Sequence, residues 1–130
     1  MAPPPTRVVA GVIERDRRVL VAQRPLKKRH GGMWEFPGGK VEGTETDLDA
    51  LHRELAEELG LQVTSVSAPI AEYRDPGSDY LIVFVPVVVH GEPECREHTA
   101  IRWAAWVDLS EMPLAPTDRE FVAWHNSTNR

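Results

Sequence analysis

The chain has 130 residues, 20 acidic against 15 basic side chains, and a formal net charge of −5. That length fits one domain with a single core. Hydrophobic residues make up 42% and charged residues 27%, too apolar for a disordered chain. The acidic balance excludes a protein that grips nucleic acid through a broad basic face. An anionic partner therefore requires a local basic cluster or a metal ion. Cys95 is the sole cysteine, which rules out an intrachain disulfide and a cysteine zinc cage. Met1–Thr6 holds three consecutive prolines and no apolar stretch of the signal-peptide kind, so a cytoplasmic location is expected.

Residues 1–6 are expected to form a loose tail, 7–126 the folded domain and 127–130 a C-terminal tail. Arg7–Ile13 and Val19–Gln23 are β-branched and apolar, and predict a strand pair around Glu14–Arg18. Pro25–Gly32 is polar and basic, hence a loop. Trp34-Glu35-Phe36 is a short extended piece stopped by Pro37-Gly38-Gly39. From Thr44 to Leu59 the period becomes helical, with Leu48, Leu51, Leu55 and Leu59 in one apolar stripe. Thr44 and Asp47 resemble a capping box, and Gly60 is placed as the helix stop. Strands are predicted near Val63–Glu72, Tyr80–Val89 and Ala100–Val107, then a loop at Glu111–Pro116 and a closing helix over Thr117–His125. The apolar run Tyr80–Val89, broken by Pro86, is too short for the ~20 residues of a membrane helix and reads as a buried strand. The mixture fits an α/β or α+β fold.

The predicted helix carries the main chemical signal. Glu54, Glu57 and Glu58 stand at i, i+3 and i+4, on one side and at the flank of the leucine stripe. Partly buried, two carboxylates ~4 Å apart repel by about 4 kcal/mol at an effective dielectric of 20. They also lie toward the negative end of the helix dipole. A hard divalent cation relieves both problems, and magnesium commonly takes one or two carboxylates with waters and substrate phosphates. Upstream, Gly38-Gly39 allows close approach of a ligand to the backbone.

Taken together, Gly39, five residues, Glu45, seven residues, Arg53-Glu54-Leu55-Ala56-Glu57-Glu58-Leu59-Gly60-Leu61 resembles the Nudix hydrolase signature at every fixed position. The flank Trp34-Glu35-Phe36-Pro37-Gly38-Gly39-Lys40-Val41-Glu42 is similar to the MutT-type nucleoside triphosphate pyrophosphohydrolases. The resemblance runs from about Val8 to Val122. It implies a Nudix fold, a mixed sheet sandwiched between helices in a single domain. It also implies Mg²⁺-dependent hydrolysis, with Mn²⁺ able to substitute, of a nucleoside diphosphate linked to another group. By the same resemblance, the carbonyl of Gly38 and the carboxylates of Glu54, Glu57 and Glu58 surround the metal. Glu45 braces the loop and Arg53 orients the glutamates.

Outside the box, Glu97 falls where MutT-type enzymes bring a further glutamate to the metal, making it a candidate ligand or alternative general base to Glu54. Arg24 matches a substrate-contacting position, and its guanidinium suits phosphate oxygens. Lys27 and Lys28, in the basic cluster Lys27-Lys28-Arg29-His30, read as a solvated steering loop. Asp118 falls where these enzymes place the Asn or Asp that reads the base. With Glu35 and Phe36 of the flank it completes the expected substrate-binding set; Phe36 and Tyr80 are candidates to stack on a base, although aromatics on strands are more often core. Trp103, Trp106 and Trp124 read as packing residues, and none of the five histidines has metal-ligand spacing. The reaction expected is NTP + H₂O → NMP + pyrophosphate on an oxidised nucleotide such as 8-oxo-dGTP. Alternatives are CTP or methylated dCTP, a dinucleoside polyphosphate or ADP-ribose at the same site, or a non-catalytic nucleotide sensor. The expected partner is a small nucleotide, with no stable nucleic-acid complex, no membrane, and a monomer or homodimer.

Overall fold

The computed structural model describes residues 3–129. Strands β1 (Thr6–Arg15) and β2 (Arg18–Gln23) form the expected hairpin. Its two-residue turn places Asp16 and Arg17 at φ 53° and 66°, the left-handed pair that matches strand twist. The two strands pair only next to the turn, at Glu14↔Val19 and Arg15↔Arg18, and then diverge. β1 instead pairs in parallel with β7 (Tyr80–His90), from Thr6↔Tyr80 to Ile13↔Val87. On its other side β1 takes β4 (Gly38–Lys40) antiparallel. β2 pairs with β3 (Trp34–Glu35) and β8 (Ala100–Ala105), and β7 with β5 (Gln62–Val66) and β6 (Ala71–Arg74). The result is a mixed sheet with β1 as its spine.

Helices cover both faces. α1 (Asp47–Leu59) sets Leu51, Leu55 and Leu59 against Val9, Ile13, Val83 and Val85. α2 (Trp106–Leu109) and α3 (Pro116–Thr128) pack Leu109, Phe121 and Val122 against Val12, Val21 and Phe84 on the other face. The α+β architecture follows from these two stripes of apolar residues, each covering one side of the alternating strands.

The structure departs from the sequence reading in several places. The capping box of α1 is Thr46 with Asp49 rather than Thr44 with Asp47. Asp47 instead pairs with Arg7, at 2.8 and 2.9 Å. Leu48 leaves the stripe, 41% exposed, in the first turn of α1. The predicted strand Val63–Glu72 is two, β5 and β6, with a bulge between Val63 and Ser65 and a break across 67–70. The stretch Trp106–Leu109 is helical rather than the end of β8. Of the expected N-terminal tail, Met1 and Ala2 lie outside the described residues, 3–5 have no regular structure, and Thr6 begins β1. At the other end α3 runs through Thr128, and Arg130 lies outside the described residues. No described helix is long and apolar enough to cross a membrane.

Candidate active site

Local sequence dictates how the glycine loop meets the helix. A Cβ at position 38 would come within 1.9 Å of the Val9 carbonyl, so only glycine lets β4 lie this close to β1. A Cβ at position 39 would meet the Glu54 carboxyl carbon at 2.3 Å. The Glu54 side chain therefore lies directly on the loop backbone. Gly60 ends α1 in the left-handed conformation, φ 67°, and its N–H donates to the Ala56 carbonyl.

Arg53 is the hub of the box. Its Nε and Nη2 donate to the two oxygens of Glu45 at 2.8 Å each, Nη2 also to the Lys40 carbonyl at 3.0 Å, and Nη1 to Glu54 Oε1 at 2.7 Å. Adjacent helical residues do not ordinarily face each other. The long guanidinium overcomes this by running along the groove between helix and loop. Glu45 binds Arg53 and the Glu42 N–H, which lowers its carboxyl to about 2. The Glu57 carboxylate is more exposed, 4.0 Å from Arg53.

Glu58 is the most unusual group, 4% exposed, with Oε2 buried and unpartnered. Burial first, and then the negative charges of Glu54, Glu35 and Glu97, push its carboxyl well above the usual carboxylate range. His98, to which the sequence assigned no chemistry, has its side chain only 6% exposed between two of these carboxylates, 2.9 Å from Glu35 Oε2 and 3.5 Å from Glu58 Oε1. No spacing rule marks it. It arrives because the loop before β8 docks on the end of α1, where the Arg96 N–H donates to the Glu58 carbonyl and the Arg96 guanidinium to the Ala56 carbonyl. Glu97, its neighbour, is exposed.

Beside the loop lies a cleft of about 430 Å³, lined by Gly38 and Gly39 and by Arg24, Lys40, Tyr80 and Asp118 among others. Arg24 is engaged within the protein: Nη1 donates to Glu35 Oε1 at 2.9 Å, and Nε to the Arg29 carbonyl. Asp118 is buried because the start of α3 is tied to β3, with Trp34 N–H donating to the Pro113 carbonyl and Ala115 N–H to the Trp34 carbonyl. Its Oδ1 accepts the Phe36 N–H at 2.9 Å. Burial, reinforced by Glu35, pushes the Asp118 carboxyl up to about 8. The Phe36 ring is not open for stacking as expected. It is 3% exposed and packs on Phe84, Phe121 and Trp106 with centroids 5.4–5.9 Å apart. Tyr80 keeps an accessible ring, with Lys40 Nζ 5.1 Å from its centre.

The structure thus brings Glu54, Glu58, Glu35 and His98 together, with Gly38 and Gly39 beside the helix. Among the described residues no three acidic, histidine or cysteine side chains form a preformed metal cage. The donor chemistry nevertheless fits a hard cation: a buried orphaned carboxylate oxygen with the negative charges of Glu54, Glu35 and Glu97 about it, which a bound cation would offset. A cation that keeps its waters needs no closed protein cage.

The site is a helix of carboxylates against a glycine loop, carried on a mixed sheet between helices. The NUDIX domain model matches residues 3–125, and the chain belongs to that family, as a MutT-type Nudix hydrolase acting on acid anhydrides. It is 43% identical over 115 residues to a CTP pyrophosphohydrolase of Escherichia coli (strain K12), covering 85% of this chain and 84% of that one. It is 41% identical over 119 residues to a putative 8-oxo-dGTP diphosphatase 2 of Mycobacterium tuberculosis, covering 89% and 84%. Among solved structures it resembles the MutT NUDIX hydrolase from Burkholderia pseudomallei, with a TM-score of 0.80, 29% identity, and 93% and 98% coverage.

Proposed function

We propose that the protein hydrolyses a nucleoside triphosphate to NMP and pyrophosphate with Mg²⁺, clearing an oxidised nucleotide of the 8-oxo-dGTP kind. It does so in the cytoplasm as a monomer or homodimer, without a stable nucleic-acid complex. The observation that carries the reading is the buried orphan oxygen of Glu58, set among Glu54, Glu35 and Glu97 beside a cleft that also holds Arg24 and Lys40. Glu54, Glu57, Glu58 and the Gly38 carbonyl would hold the cation, with Glu97 joining from its loop. The cation would neutralise phosphate charge and acidify water. Arg53 holds Glu54 in place, and Glu54 is the general base, accepting the proton of the attacking water. Arg24 and Glu35 shape the phosphate end of the cleft, and Asp118, held by the Phe36 N–H, reads the base.

The name of the Escherichia coli relative favours a second reading at the same site, with CTP as substrate. Asp118 is the group that would separate the two, because a carboxyl and an amide present different donors to a base edge. Pyrophosphate release from a panel of normal and oxidised nucleotides, with and without Mg²⁺, decides between them. Glu54→Gln and Glu58→Gln should each cut turnover by about 10²-fold or more while the fold survives. Near-normal turnover in both variants rules out the assigned chemistry.

A further inference from the structure

Over residues 25–31 the loop between β2 and β3 has little hydrophobic anchoring, since the large apolar side chain there, Leu26, is exposed. Its base is closed by Arg24 N–H to the Met33 carbonyl and Gly32 N–H to the Arg24 carbonyl, both 2.9 Å. Among the described residues, the side-chain bonds that 25–31 make to another element all go to the turn between β6 and β7. Arg29 Nη1 donates to Asp75 Oδ2, and Nη2 to the Pro76 carbonyl at 2.6 Å. His30 Nε2 lies 3.8 Å from Asp75 Oδ1. Asp75 is 4% exposed, also accepts from Ser78 Oγ at 3.1 Å, and is held by its own N–H donating to the Tyr80 carbonyl. His30 sits at φ 57°, a conformation that a residue with a Cβ keeps only where its surroundings impose it. Lys28, Arg29, His30 and Asp75 all line the cleft.

We propose that Asp75 is a positioning residue, clamping the basic loop as a wall of the cleft and so setting affinity for the nucleotide without sharing in bond cleavage. The proposal rests on the cleft being the nucleotide site. Asp75 offsets the Arg29 charge and leaves Lys28 as the cation that the wall presents. An unclamped loop must be ordered at each binding event, which weakens binding and leaves the chemical step alone.

Asp75→Asn should raise KM about tenfold, the equivalent of ~1.4 kcal/mol of binding, with kcat within about twofold. Trypsin reports the clamp without substrate, because Lys27, Lys28 and Arg29 lie in the loop. Cleavage there should be several-fold faster in Asp75→Asn. A methylene-bridged nucleoside triphosphate with Mg²⁺ should slow it in the unaltered protein. Arg29→Ala approaches the pair from the other side and carries the test if Asp75→Asn does not fold. It should reproduce the KM change, and the double variant should be no worse than either single one. An unchanged KM, unchanged cleavage, or a kcat that falls with KM unchanged in a folded variant overturns the proposal. Absence of nucleotide protection in the unaltered protein refutes the nucleotide reading itself. That failure is distinguishable, because the cleavage difference between variants needs no nucleotide.

Discussion

Nε2 of His98 lies 3.5 Å from Oε1 of Glu58, and the same nitrogen is 2.9 Å from Oε2 of Glu35. One imidazole thus separates carboxyl groups from two different elements. Removing it takes a buried partner from both carboxyl groups. His98→Ala should therefore unfold at a lower temperature without divalent cation, and regain more on adding Mg²⁺ than the parent does. Thermal melts with chelator and with millimolar Mg²⁺ measure both changes, and an equal Mg²⁺ gain in the two proteins defeats the prediction.

The Gly39 contact predicts a separation of fold from activity. The atoms that an added Cβ would strike belong to the end of the Glu54 side chain, which can swing aside. Gly39→Ala should keep its melting temperature within a few degrees and lose most of its turnover. Circular dichroism and pyrophosphate release, run on the same preparation, check the two halves.

Glu45 sets an acid limit on the brace around Arg53. Its folded carboxyl titrates at about 2, below the ordinary value near 4.3, so the stabilisation it supplies is complete above about pH 5. That stabilisation is lost as pH falls through the folded value. The melting-temperature difference between the parent and Glu45→Gln should be constant from pH 5 to 7 and shrink toward zero near pH 2.

Asp118 has the opposite sign. Its folded carboxyl is raised to about 8 from an unfolded value near 3.9, so the folded state holds the extra proton across that window. Stability therefore falls as pH rises from about 4 to 8. An amide can still accept the Phe36 N–H, and Asp118→Asn should gain on the parent progressively across the same range. Melting temperatures at pH 5, 7 and 9 test it. The same variant, assayed on guanine and cytosine nucleotides, reports whether this position selects the base.

The box was legible because its chemistry is local: Glu54, Glu57 and Glu58 share a helix face wherever the helix goes, and Gly38 and Gly39 are adjacent in sequence. The strands of the spine were legible from their β-branched runs. His98 was not, since it reaches Glu58 by a loop docking that no spacing encodes. Asp75 was invisible for the same reason, meeting Arg29 from 46 residues away. The cap of α1 was misplaced because Thr44 with Asp47 and Thr46 with Asp49 satisfy one rule equally well. Tertiary partners decided between them, Arg7 taking Asp47 and Arg53 taking Glu45. Phe36 shows the limit for aromatics: beside a ligand cleft, an exposed and a buried ring look alike in sequence.

The sheet separates two apolar layers, Leu51, Leu55 and Leu59 beneath α1 and Phe121 and Val122 beneath α3. The carboxylates ride on the first and Asp118 on the second. Substitutions can accumulate in the α3 layer and reshape the base end of the cleft while the packing that aligns the glutamates stays fixed. On the function proposed above, the end of the cleft that meets the base and the helix that aligns the glutamates rest on separate apolar layers, so one can change shape while the other keeps its packing.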